Sequence, residues 1–142
     1  MSRRKARISA LETLFEIESR ESEDVTSDSI VDICHEALQR NGVAVEEYRD
    51  FAGSLIRGAW EHKAEYDESI AGSSRKWSLH RIGRIEAAIM RMALHEMRRM
   101  STPPSVAINE AVELTKRYAS ERAASFVNGI LGSLVAGIQI EE

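Results

Sequence analysis

The chain has two prolines, and they stand side by side at Pro103 and Pro104. Proline lacks an amide proton and clashes with the preceding helical turn, so it is the strongest breaker of a helix interior. Residues 1–102 and 105–142 are free of it, and there the apolar residues recur at steps of three and four, the period of one buried helix face. Ile8, Leu11, Leu14, Phe15 and Ile17 predict a helix over about 3–19. Ser27 can cap a second, with Ile30, Ile33, Ala37 and Leu38 inward and a stop at Asn41-Gly42, where left-handed geometry is tolerated.

A long third helix is predicted over about 45–71, carrying Tyr48, Phe51, Ala52, Leu55, Ile56, Ala59, Tyr66 and Ile70. Gly53 and Gly58 within it each cost about 1 kcal/mol against Ala, which suggests a neighbouring helix packed close. Gly72-Ser73-Ser74 ends the pattern. A fourth helix is expected from Ser78, with Leu79, Ile82, Ile85, Ile89, Met92, Ala93 and Met97 inward and a bend near Gly83. After the prolines, residues 105–118 form another, and Ser120 can cap a last one bearing Ala123, Phe126, Val127, Ile130, Leu131, Leu134 and Ile138. No segment alternates with period two. The expectation is an all-α fold of about seven helices in two packed bundles sharing one core. The whole chain, 1–142, would be a single domain with an N-terminal half of about 1–72 and a C-terminal half of about 73–142.

At 142 residues the chain is too short to hold a second large catalytic domain. Its net charge of −4 is unevenly laid out. Residues 1–7 hold four of the 19 cations and no acid, which leaves the body with 15 cations, 23 acids and a net charge of −8. Cys34 has no intramolecular disulfide partner and reads as a small buried residue in a reducing compartment. No run reaches the roughly 18 apolar residues of a membrane span. Glu12 follows the basic start too soon for a secretory signal, so a cytoplasmic location is expected.

The patterns that carry catalysis are missing. His35, His62, His80 and His95 are never four residues apart, as a helical zinc site needs, and no GxxxxGK[ST], GxGxxG or GxSxG occurs. Glu61, Glu65 and Glu68 share a helix face and read as a solvated surface; Met90, Met92, Met97 and Met100 read as core and edge filling. Trp60 and Trp77 suit packing better than a partner surface. Neither a metal nor a cofactor is expected. The dense cationic feature is Arg3, Arg4, Lys5 and Arg7, which would project from the first turns of the first helix. Cations there oppose the helix dipole by up to about 0.3–1 kcal/mol each, and a polyanion would offset that cost. Four phosphate contacts to single-stranded RNA imply a log affinity versus log salt slope of about −2.8. A short basic start that merely solubilises the chain is the plain alternative.

Several blocks together resemble one family. RRKAR followed by ALETLFEIE, then WSLHRIGRIEAAIMRMALHEM, PSVAINEAVELTKRYAS and FVNGIL are similar, in order, to the blocks of the NusB family of bacterial transcription antitermination factors. Residues 106–118 and 126–131 are the most specific. The resemblance implies two helical bundles and a non-enzymatic scaffold. It would bind boxA RNA jointly with a small-subunit ribosomal protein, NusE, and help mount an antitermination complex on RNA polymerase, chiefly at ribosomal RNA operons. It also implies roles for residues. Arg3, Arg4, Lys5 and Arg7 would hold phosphates, and Phe126 could stack a base. Asn128 belongs to the same motif, although a buried polar residue satisfying a helix end is the favoured reading for it. Phe15 and Glu86 would face the ribosomal protein.

Three departures from the family stand near the RNA motif. Arg122 replaces a frequent acid, Ser125 a frequent cation and Gly132 a frequent Asp, so the RNA contacts around Arg122 and Ser125 would shift in position. A rival reading is an RNA-binding fragment or accessory domain of a ribosomal RNA cytosine methyltransferase, in which a similar helical domain precedes the catalytic part. The resemblance leaves monomer and homodimer both open.

Overall fold

The computed structural model describes residues 2–19, 27–40, 42, 46–73 and 82–140. They form seven helices: α1 (Arg3–Ser19), α2 (Ser27–Arg40), α3 (Glu46–Glu61), α4 (Lys63–Ser73), α5 (Arg84–Arg99), α6 (Pro104–Tyr118) and α7 (Glu121–Ile140). No strand occurs among the described residues, and none of the helices is long and apolar enough to cross a membrane. The chain divides into two compact units, Met1–Glu61 and His62–Glu142.

In the first unit α1 packs against α2 and α3, and α2 against α3. Leu11, Leu14 and Ile17 of α1, Ile33, Ala37 and Leu38 of α2, and Ala52, Leu55, Ile56 and Ala59 of α3 are buried, most of the inward faces that the periodicity predicts; Ile8, Tyr48 and Phe51 are half-buried, and Phe15, expected on the same face, is exposed. Ser2 caps α1: its hydroxyl accepts from the Lys5 amide at 3.2 Å and its carbonyl from the Ala6 amide at 3.1 Å. Gly42 takes the left-handed φ of 68° just past α2. An Arg40–Glu16 ion pair at 3.0 Å joins α2 to α1. A Cβ at Gly53 would lie 3.9 Å from Cys34 Sγ. That is ordinary contact, so close helix approach does not explain Gly53. Burial raises the Cys34 thiol above its usual range, with Arg57 opposing the effect.

The long third helix of the sequence reading is two helices, broken at His62. No residue from Trp60 to Glu65 is buried, so the apolar stripe lapses for more than a turn where the helix breaks. Each piece serves a different unit: α3 packs on α1 and α2, whereas α4 packs on α5 and α7.

In the second unit α5 contacts α4, α6 and α7, and Ala88 to Met97 are buried except Arg91. It is covered on most sides, as a central helix must be. Residues 74–81 lie outside the described residues, and with them the expected start at Ser78, Trp77 and His80. Gly83 is the N-cap of α5, so it precedes the helix instead of bending it. Arg91 grips Asp67 of α4 through Nε and Nη2, at 2.7 and 3.0 Å.

Beside that fork, Arg99 donates to the Tyr66 hydroxyl at 2.7 Å, and that hydroxyl lies 2.8 Å from His95 Nδ1. A guanidinium can only donate, which directs the hydroxyl proton at Nδ1; we assign the His95 proton to Nε2. Tyr66 is fully buried, and burial raises its phenol above the usual range. Glu65, placed on a solvated face by the sequence, accepts from Arg99 at 2.9 and 3.0 Å and from Arg98 at 3.3 Å.

The reversal after α5 rests on the buried Glu96. Its carbonyl accepts from the amides of Met100 and Thr102, and its carboxylate from the Thr102 hydroxyl at 3.0 Å. Ser101 crosses the turn with a left-handed φ of 58°. Pro103 then caps α6 and Pro104 occupies its first turn, where a missing amide proton costs nothing. Ser120 caps α7 through the Ala123 amide at 3.0 Å, so only residues 119 and 120 separate α6 from α7.

Two outcomes follow from these contacts. Thr102→Val removes the donor facing the Glu96 carboxylate and is expected to cost about 1–3 kcal/mol in urea unfolding. The Arg99 hydrogen bond, with Arg98, holds the Glu65 carboxyl below its usual range. Its contribution is therefore present above the ordinary carboxylate pKa and is lost as the pH falls through the lowered value. Glu65 is exposed, so Glu65→Gln should cost about 1 kcal/mol or less near neutral pH, and the difference from wild type should vanish in acid unfolding titrations.

Candidate nucleic-acid interface

The cationic segment is the ordered first turn and a half of α1. No acid stands in that turn, so the dipole penalty on the cations is real and the Ser2 cap offsets part of it. Arg3, Arg4 and Lys5 are exposed, whereas Arg7 is 4% exposed. The four positions expected to hold phosphates are thus three surface cations and one interior one. The guanidinium carbons of Arg3 and Arg7 lie 5.0 and 5.1 Å from the centre of the Phe51 ring on α3.

Arg122, Ser125, Phe126 and Asn128 lie on α7 of the second unit and divide between two faces. Ser125 and Asn128 line a groove of about 580 Å³ between α6 and α7, with Ser105, Ile108, Asn109, Val112, Lys116, Glu121 and Ala124. The lining mixes apolar side chains with two carboxamides, two hydroxyls, one ammonium group and the Glu121 carboxylate. Arg122 and Phe126 sit about a quarter turn round the helix, outside the groove, with Arg122 exposed and Phe126 half-buried. Asn128 is exposed in mid-helix. The favoured reading of a buried residue satisfying a helix end is therefore overturned: at that point the backbone is already paired within α7.

Asn109 and Lys116 went unnoticed in the sequence. They sit two turns apart on α6 and line the same groove as Ser125 and Asn128, and the i, i+7 spacing of two polar residues beside Ile108 and Val112 was the available signal.

Phe15, on α1, is 37% exposed, an unusual position for a large aromatic side chain. Glu86 is half-buried in the first turn of α5. Its carboxylate lies where a Cβ on Gly83 would stand, so the glycine leaves room for an acid folded back over a helix N-terminus, where negative charge is favoured. No cluster of three or more potential metal ligands occurs among the described residues. His62 and His95 do come together, with ring centres 6.0 Å apart.

The NusB family model matches residues 4–136. The transcription antitermination protein NusB of Symbiobacterium thermophilum is 38% identical, over 98% of this chain and 92% of its own length. The structure of T. maritima NusB superposes with a TM-score of 0.80 at 32% identity, covering 94% of this chain and 89% of that one. A crystal structure of antitermination factors NusB and NusE in complex with dsRNA superposes with a TM-score of 0.81. At 24% identity, over 95% of this chain and 96% of that one, it shows a shared fold.

Asn128→Ala should leave the unfolding free energy within about 0.5 kcal/mol of wild type, because the side chain is exposed. A drop of 2 kcal/mol in calorimetric unfolding would restore the structural reading.

Proposed function

Because the chain belongs to the NusB family, we propose that it is a transcription antitermination factor that binds single-stranded boxA-type RNA. It does so jointly with a small-subunit ribosomal protein of the NusE type. The observation that carries the RNA half is the exposed trio Arg3, Arg4 and Lys5 on the first turn of α1. Three cations held at a helix N-terminus against the dipole are costly to the fold, and neutralising phosphates offsets that cost. The remainder of the chain is net acidic, so RNA is repelled elsewhere and engages through discrete sites.

Splayed bases need apolar faces and edge donors. Phe126 supplies a partly open ring, and the α6–α7 groove supplies Asn109, Ser125 and Asn128 over Ile108 and Val112. Lys116 and Arg122 offer further phosphate contacts. Arg7 contributes from the interior. The acidic body suits a basic ribosomal protein, and the exposed Phe15 gives such a partner an aromatic anchor. Glu86 is the carboxylate we assign to the same partner, and the RNA–protein assembly would then mount on RNA polymerase. The function requires no catalytic step. The methyltransferase reading gains nothing from the relatives, which are named transcription antitermination proteins.

A salt-titrated anisotropy assay with a boxA oligonucleotide tests this. Arg4→Ala combined with Lys5→Ala should weaken binding and lower the salt slope by about 1.4, two phosphates' worth. Adding the ribosomal protein should tighten binding of the wild type. Equal slopes for wild type and variant, together with an RNA affinity indifferent to the partner, would overturn the reading.

A further inference from the structure

We infer that Phe51 is a positioning residue of the RNA-binding surface: its ring on α3 fixes the guanidinium of Arg3, with Arg7 behind it, so that Arg3 is presented to RNA phosphate already oriented. The inference rests on the RNA-binding reading above and adds to it a residue that contacts no RNA itself.

Arg3 and Arg7 are one helical turn apart on α1, a spacing at which like charges repel. Both also stand at the end of the helix where the dipole disfavours cations. Left alone, two such side chains would splay into water. Instead both guanidinium carbons lie over one ring, at 5.0 and 5.1 Å from its centre. The negative face of an aromatic ring attracts cations within about 6 Å, and arginine stacks on it through its planar face. The N–H donors lie in the guanidinium plane, so a guanidinium held near the ring by its charge keeps donors for the oxygens of a phosphate.

Burial separates the roles. Arg7 is 4% exposed, so it is the inner cation of the group, whereas Arg3 is exposed and can be reached. Phe51 is half-buried, with part of its ring given to the cations instead of the apolar core around Ala52, Leu55 and Ile56. α1 and α3 pack directly on each other in the first unit, which gives the ring a fixed place relative to the arm. An arginine side chain otherwise loses considerable rotamer freedom on binding. A ring that has already taken up that freedom improves affinity without adding a contact to RNA.

The test is a double-mutant cycle on the full chain, using a single-stranded boxA oligonucleotide and fluorescence anisotropy. Phe51→Leu should weaken binding about three- to tenfold, the range of one cation–π contact. Arg3→Ala should weaken it at least as much, and the double variant no more than Arg3→Ala alone. Phe51→Tyr, which keeps the ring, should restore wild-type affinity. Multiplying losses in the double variant would overturn the inference, because Phe51 would then act independently of Arg3. Wild-type affinity in Phe51→Leu alongside weakened binding in Arg4→Ala with Lys5→Ala would overturn it too, while leaving the RNA reading intact. Unchanged binding in all of these variants would overturn both.

If Phe51→Leu does not fold, by circular dichroism, the comparison moves to lysine. Arg3→Lys keeps the charge but loses the stacked plane, so it should weaken binding more than Arg4→Lys does. Equal losses would overturn the inference.

Discussion

A buried carboxylate governs how the second half of the chain is laid out. Glu96 is almost wholly removed from water near the end of α5, and such a group is tolerated only when its oxygens are bonded. The Thr102 hydroxyl donates to that carboxylate while the Thr102 amide donates to the Glu96 backbone carbonyl, and together they draw the chain through the left-handed Ser101 and deliver Pro103 and Pro104 at the start of α6. The direction of α6 follows, and the two-residue connection capped by Ser120 brings α7 back beside it. The α6–α7 groove exists because of that sequence of constraints.

The first unit solves a different problem, that of holding like charges on one helix end. α1 carries its cations where the dipole least favours them, and it does so with three devices: the Ser2 cap, solvent around Arg4 and Lys5, and the Phe51 ring under Arg3 and Arg7. Each device weakens a penalty without neutralising charge, so the positive potential survives for an anionic partner. A carboxylate in place of Phe51 would stabilise the helix end better and cancel its field. The net charge of −4 therefore describes neither part of the molecule.

Different parts of the candidate site were legible to different degrees. The cations at Arg3, Arg4 and Lys5 stand out as a local run, and their exposure follows from their density. The FVNG block marks α7, yet its residues separate: Phe126 turns to one face while Asn128 joins Ser125 in the groove. A motif is contiguous in sequence, but on a helix neighbouring residues point about 100° apart, so a contiguous block seldom lines one surface. Asn109 and Lys116 were missed because their counterparts lie on another helix. Arg7 was grouped with its neighbours by charge, and only its packing against α3 distinguishes it.

The sequence by itself determined that the chain is helical, where most helices begin and end, and which face of each turns from water. Apolar period, the cap at Ser120, the stop at Gly42 and the paired prolines are local signals, legible without knowing any neighbour. The tertiary structure alone decided the break at His62, the left-handed Ser101, the burial of Arg7 beside Phe51 and the exposure of Asn128. Periodicity records that a side chain avoids water, but it carries no information about which helix covers it. Ala52, Leu55, Ile56, Ala59, Tyr66 and Ile70 fit one helical period, but the stripe lapses between Ala59 and Tyr66, and the division of its two ends between separate units shows why one helix became two.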